Sequence, residues 1–175
     1  MKALTLHQPF ASLVAIGAKR IETRSWSTSY RGPLAIHASA KGPRTEADGT
    51  KAFDAALLAA YRAGIEVEQI APLPYGAVVA TCRLVDVVPI AAKPNGETCV
   101  APGEDGVMRA WHRFEVNAGG GGWYGDPSTG EEAAFGDFTP SRYAFLLADV
   151  EPLDPPVPAK GRQGLWTWAY PGGER

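Results

Sequence analysis

Apolar and polar positions change rhythm several times along this chain, and each change marks an expected element. Residues 2–6 alternate, with Leu4 and Leu6 on one face, and predict a short strand. A helix is expected from Gln8-Pro9, because proline at the first helical position leaves no N–H unpaired. Phe10, Leu13, Val14 and Gly17 keep helical spacing, so one face should pack on a sheet, and Gly17 is a natural stop. Residues 20–26 (Arg-Ile-Glu-Thr-Arg-Ser-Trp) read as extended, which puts Arg20, Glu22, Arg24 and Trp26 on one face and Ile21 and Thr23 on the other. A second helix is expected over residues 50–63, with Phe53, Leu57 and Ala60 or Tyr61 packed and Gly64 as its stop. Residues 72–74 read as a stiff linker. Residues 76–90 are rich in valine and predict a central strand, whose end should leave the sheet at Pro89. Further strands are expected over 142–150 and 164–169, with Trp166 and Trp168 on one face as core aromatics closing a barrel.

Residues 91–132 break this rhythm. Glycines 119 to 122 stand in a row, turn dipeptides recur, and Trp111, His112, Trp123 and Tyr124 stand isolated. The segment reads as a loop insertion, with a short helix over 108–116. Two roles stay open: a surface insertion stapled by its tryptophans, or a flap whose Trp123 or Tyr124 stacks on a base. Residues 1–170, the insertion included, read as one domain with a disordered tail at 171–175. At 175 residues the chain is long enough to bury most of its apolar surface, since chains of about 150 residues bury roughly 70% of the surface they expose when unfolded.

Charge adds a partner. Residues 1–44 hold seven Lys or Arg against one acid, Glu22, while the remainder holds ten bases and eighteen acids. A formal net charge of -2 therefore hides a basic N-terminal quarter, which suggests an anionic partner. Arg31 and His37 lie just downstream of the Lys19–Trp26 cluster, and charged groups beside aromatics are the usual make-up of a nucleic-acid site. The histidines, His7, His37 and His112, have no metal-ligand spacing, so neither metal nor cofactor is expected. His37 falls in a strand and reads equally as a buried, hydrogen-bonded residue. Glycines 119–122 lack the Gly-Lys-Ser/Thr of a phosphate loop, and no Gly-x-Ser-x-Gly elbow occurs. No run of about 18 apolar residues predicts a membrane span, and no long apolar segment precedes Lys19 as a secretory signal would. Cys82 and Cys99 form no Cys-x-x-Cys, and Cys82 reads as core packing, so cytoplasm is the expected compartment.

The cluster also resembles the ASCH domain. Gly17, Lys19, Glu22 and Arg24 match a Gly-x-Lys-x-x-Glu-x-Arg core, preceded by the Gln8-Pro9 helix start and followed by an Arg31-Gly32-Pro33 turn into residues 34–37. Residues 135–144, which include Arg142, and residues 156–166 resemble bacterial members of the family. The first forty-odd residues are similar to the ASCH domain of a eukaryotic transcription coactivator. The resemblance implies an α+β fold of the PUA-like type, a small β-barrel flanked by helices, here with a long Gly-rich insertion. It implies a groove lined by Lys19, Glu22 and Arg24, and an RNA or modified-nucleoside ligand. Some members are metal-independent ribonucleases. A small bacterial branch hydrolyses N4-acetylcytidine with the motif lysine and a threonine at the position of Glu22. This chain has glutamate there, and Thr23 would face the other way.

Binding of single-stranded RNA or a modified nucleotide is the function expected first. His7, Gln8, Lys19, Glu22, Arg24, Trp26, Arg31, His37 and Arg142 are its expected contacts, with Lys160 and Arg162 in a loop within reach of a phosphate. Basic residues would hold phosphates, an aromatic would stack on a base, and Glu22 would accept hydrogen bonds from an exocyclic amine or a ribose hydroxyl. Two rivals stand beside it. One is a metal-independent hydrolase of RNA or of an N4-acylcytidine, with Lys19 and Glu22 catalytic and Arg24 stabilising a developing anion. The other is a protein-interaction domain using the same groove.

Overall fold

The N-terminal alternation folds as a strand with the expected bounds. β1 (Lys2–Leu6) leads into α1 (Phe10–Ala15), and the chain continues through β2 (Ile21–Arg24), β3 (Gly32–Ala38), α2 (Ala47–Arg62), α3 (Val67–Ile70), β4 (Ala77–Ala92), β5 (Thr98–Val100), β6 (Tyr143–Pro158) and β7 (Leu165–Thr167). The structure, a computed structural model, describes residues 1–42, 47–62, 64–92, 98–100 and 135–171. The fold is α+β, as expected. Among the described residues, hydrogen bonds order a mixed seven-stranded sheet as β2-β6-β4-β3-β1-β7, with β5 on β4, so the valine-rich β4 is an inner strand. The described residues divide into two compact units. One is drawn from Met1–Ala18, Pro33–Cys82 and Val150–Arg175, the other from Lys19–Gly32 and Arg83–Asp149.

In the first unit β1 pairs in parallel with β3 (Thr5↔His37) and antiparallel with β7 (Ala3↔Trp166). Ala3, Ala35, Val78, Leu153, Trp166 and Trp168 pack as one cluster, so both tryptophans are core residues as expected. α1 begins one residue later than proline's preference suggests: Pro9 is the cap, not the first helical residue. The Gln8 carboxamide does the capping, taking the Ser12 N–H on Oε1 at 3.2 Å. Gly17, at φ +77, closes the helix in the left-handed region that glycine enters without steric cost. α2 starts earlier than expected and ends as expected before Gly64. Gly64 N–H donates to the Tyr61 carbonyl and Ile65 N–H to that of Ala60, a Schellman closure. Ala56 and Ala60 are buried, whereas Tyr61, expected as an alternative to Ala60 on the packed face, is 67% exposed.

In the second unit Ile21, Val88, Ile90, Phe138, Ala144 and Leu146 form the core. Two expectations fail here. β4 does not leave the sheet at Pro89 but runs on to Ala92. Proline removes only its own donor, and the next residue carries the pairing: Ile90 donates to the Arg142 carbonyl and accepts from Ser141 N–H. The insertion expected from Ala91 also begins as strand, since β5 pairs antiparallel with the end of β4 (Ala91↔Cys99). The expectations for residues 101–132, including the 108–116 helix, Trp111, His112, Trp123 and Tyr124, lie outside the described residues, as does the tail from residue 172. β6 is longer than residues 142–150. Beyond Asp149 only Leu153 is buried, so no alternation betrays the strand. Among the described residues no helix is long and apolar enough to cross a membrane, and no three His, Cys, Asp or Glu stand close enough to hold a metal ion.

Candidate functional site

β2 is four residues long, and β6 holds it in register: Glu22 lies opposite Phe145 and Arg24 opposite Tyr143. Opposed residues of an antiparallel pair project from the same face. Glu22, Arg24, Tyr143 and Phe145 therefore share one face, and Ile21 and Thr23 belong to the other, as the extended reading predicted. Trp26 packs edge-on against Phe145, with ring centroids 5.1 Å apart at 80°.

Lys19 precedes the strand and is fully buried. Its Nζ donates to the Ile21 carbonyl at 2.5 Å and to the Phe135 carbonyl, and lies 3.2 Å from Glu22 Oε2. Arg24 Nη2 holds the other carboxylate oxygen, Oε1, at 3.1 Å. The Glu22 side chain is 12% exposed and that of Arg24 25%. Three acceptors thus meet the three donors of the lysine ammonium, and one carboxylate bridges two cations.

The segment that supplies the Phe135 carbonyl is strapped to β2. A Cβ on Gly136 would stand 3.0 Å from Phe138 and 3.1 Å from Thr23, so a side chain there would crowd the contact. Asp137 N–H donates to Thr23 Oγ1 at 3.0 Å. The Asp137 carboxylate accepts from the Thr139 N–H and hydroxyl and pairs with Arg142 Nε at 3.3 Å. Burial pushes the Asp137 carboxyl up, but the Thr139 hydrogen bonds and the Arg142 charge together outweigh it and hold the group below its ordinary value. Arg142 Nη2 also reaches the Thr23 carbonyl at 3.5 Å. Arg142 is thereby tied to this strap.

The profile of the ASCH domain family matches residues 4–118, well over half of the chain. The chain belongs to the ASCH domain family. It is similar to activating signal cointegrator 1 of Homo sapiens, at 40% identity over 85 residues, and of Mus musculus, at 39%. The aligned stretch is 47% of this chain but only 14% of either cointegrator. Among solved structures it is similar to ASCH from Zymomonas mobilis, with a TM-score of 0.44 and 16% identity over 97% of this chain and 87% of that one. A tyrosine-to-phenylalanine mutant of the Zymomonas protein gives 0.43 and 15%, over 97% and 90% of the two chains.

The ASCH core residues Lys19, Glu22 and Arg24 meet in one ion-paired cluster with Trp26 and Phe145 beside them. Other expected contacts do scaffold work. Arg31 is 36% exposed, yet all five of its N–H donors are engaged. Nε and Nη2 hold Asp86 Oδ1 at 3.0 and 2.8 Å, Nη1 holds the Thr28 and Tyr30 carbonyls, and Nη2 the Val87 carbonyl. Gln8 is buried and spent on capping and on the Pro74 carbonyl, 2.7 Å from Nε2. His7 is exposed at the end of β1, in the other unit from the cluster. Asp86, Asp137 and the Phe135 carbonyl were not among the expected contacts, although residues 135–144 carry part of the family resemblance. Asp137-Phe-Thr139 is a local turn pattern that sequence alone signals. Asp86 and Phe135 carry no such signal, because each meets its partner only through long-range pairing.

His37 is buried within the first unit, as its strand position allowed. Its Nε2 lies 3.0 Å from the Ala159 carbonyl, its ring packs edge-on against Trp166, and Nδ1 has no hydrogen-bond partner among the described residues. Burial lowers its pKa, partly offset by the bond to Ala159. A lowered folded value means that the unfolded chain takes up the proton first. The contribution of neutral His37 to stability is therefore complete above about pH 6.5, its unfolded value, and is lost as pH falls through the folded value. Urea midpoints measured between about pH 7 and 5 should fall in the native protein and fall less in His37→Gln.

Proposed function

We propose that the chain binds single-stranded RNA or a modified nucleotide at the β2 face centred on Glu22. The observation that carries this reading is the Glu22 carboxylate, fixed between fully buried Lys19 and partly exposed Arg24 beside the Trp26–Phe145 pair. Such a carboxylate is oriented before any ligand arrives, and it suits an exocyclic amine or a ribose hydroxyl. Arg24 offers charge to a phosphate, and Trp26 offers an aromatic edge against which a base can pack. Membership of the ASCH family supports RNA as the ligand class. Lys19 serves this site as the inner clamp on Glu22 instead of a phosphate contact, since its donors are already engaged.

The same saturation weighs against hydrolysis. A lysine that donates three protons to protein acceptors has no lone pair with which to act as a base. Thr23, the hydroxyl nearest in sequence to Glu22, accepts from Asp137 N–H and stands on the other side of β2. The native protein is therefore expected to release no acetate from N4-acetylcytidine above background, measured by chromatography.

Binding is tested with a labelled single-stranded oligonucleotide and with free nucleotides. Arg24→Ala should weaken binding roughly tenfold and flatten the dependence of log K on log salt by about 0.7, the share of one phosphate contact on a single strand. An Arg24→Ala protein with native affinity and native salt dependence overturns the proposed site.

A further inference from the structure

The first unit carries a charged surface that no part of the Glu22 cluster uses. β1 and β3 run parallel and end together, with Leu6 opposite Ala38 and Ser39 N–H donating to the Leu6 carbonyl at 2.8 Å. His7 and residues 39–41 therefore leave the sheet at one end. Two further segments are hydrogen-bonded there: Gly76 N–H donates to the Ala38 carbonyl, and Ala159 N–H to the Gly76 carbonyl, both at 2.9 Å. The strap after Ala159 then crosses to β1, where Thr5 Oγ1 donates to the Arg162 carbonyl at 2.9 Å. Four stretches of chain are thus drawn together by their backbones.

Their side chains have one sign. Lys41, Lys160 and Arg162 are exposed, as is His7. Tyr75, one residue from Gly76, is 41% exposed. Residues 1–18, 33–42, 71–82 and 155–171 contain no aspartate or glutamate. A surface meant only for solubility mixes both signs. Cations beside an exposed ring, with no carboxylate in these four stretches, match a phosphodiester chain whose bases stack on aromatic side chains.

We propose that this end of the β1–β3 pair is a contact surface for the backbone of single-stranded RNA, with Lys41, Lys160 and Arg162 on phosphates and Tyr75 stacking a base. The proposal rests on the reading of the chain as an RNA binder and extends it. A ligand that engages three cations and a ring of this surface is an oligonucleotide, not a free nucleotide. The contact reads charge and rings, so it contributes affinity without sequence preference.

The test compares the full native chain with the triple variant Lys41→Ala/Lys160→Ala/Arg162→Ala, with Tyr75→Ala and with Arg24→Ala. The probes are a fluorescent oligouridylate of about twelve nucleotides and free UMP, at salt from about 50 to 200 mM. The triple variant should bind the oligouridylate at least about tenfold more weakly at low salt, with a slope shallower by about 2, the sum of three single-strand phosphate contacts. Its affinity for UMP should equal that of the native chain. Tyr75→Ala should weaken oligouridylate binding with the slope unchanged. Equal thermal melting of native and variants confirms that the exposed substitutions leave the fold intact, and Lys160→Glu, a single reversal, should lie between native and triple variant. Native affinity and slope in the triple variant overturn the surface, and if Arg24→Ala is then impaired the Glu22 site survives alone. Loss in the triple variant with none in Arg24→Ala upholds the surface and removes the Glu22 site. Absence of oligouridylate binding by the native chain even at low salt overturns both.

Discussion

Lys19→Ala is expected to lower stability by about 3–5 kcal/mol, the usual cost of removing one partner from a buried ion pair. The ammonium is fully buried and meets the Ile21 carbonyl, the Phe135 carbonyl and Glu22 together. Removing it takes a donor from two carbonyls and leaves Glu22 paired with Arg24 among the described residues. It also removes one of the ties between β2 and the segment that begins at Phe135, leaving those through Thr23. The measurement is urea unfolding, read as a shift in midpoint at constant m-value. Glu22→Gln should cost less, about 1–3 kcal/mol, because an amide oxygen still accepts from Lys19. A Lys19→Ala protein within about 0.5 kcal/mol of native would falsify the clamp role, since that is the range of ordinary surface substitutions. Weak RNA binding by Lys19→Ala is consequently poor evidence for a contact, and Arg24→Ala, at a partly exposed position, is the cleaner probe.

The second large effect is expected at Gly161. A Cβ there would stand 2.4 Å from His37 Cε1, 2.6 Å from Nδ1 and 3.0 Å from Thr5 Oγ1. The imidazole cannot yield easily, because Nε2 is bonded to Ala159 and the ring is packed on Trp166. Trp166 is itself tied to Thr5, whose Oγ1 accepts from its indole N–H at 3.1 Å. Gly161→Ala should therefore destabilise the chain by about 1–3 kcal/mol, as overpacking does. Adding His37→Ala removes the obstructing ring, so the alanine at position 161 should then cost much less. A double-mutant cycle measures that coupling, and additive losses would show that the crowding lies elsewhere. The strap held here also bears Lys160 and Arg162, so native Gly161 keeps the proposed RNA-contact surface in place.

The motif cluster was legible as a set of residues, but the work each one does was not. Lys19 and Arg31 both belong to the basic N-terminal quarter, and both read as phosphate contacts. In the structure one is sealed inside by two carbonyls and Glu22, and the other has every donor bound to its own unit. Gln8 read as a ligand contact and is a helix cap. These roles depend on carbonyls and carboxylates brought in from residues 74, 86–87 and 135, and no local pattern encodes such distances. The β5 hairpin was missed for the same reason: its three residues are too few to set up an alternation.

What the sequence determined alone is the local grammar. Period-two and period-3.6 patterns placed β1 and α1, and valine richness placed β4. Gly17 and Gly64 marked helix ends because only a residue without Cβ turns left-handed at little cost. The Gly-x-Lys-x-x-Glu-x-Arg spacing indicated the ASCH family. Tertiary structure alone decided that Glu22 faces Phe145, that Phe135 closes over Lys19, and that residues 39–41, 75–76 and 159–162 meet beyond β1 and β3. Those outcomes depend on strand register and on contacts more than a hundred residues apart in several cases, such as Lys19 with Phe135 at a separation of 116. Such pairings are selected by the free energy of the whole packed sheet, to which any short window of sequence contributes only one side.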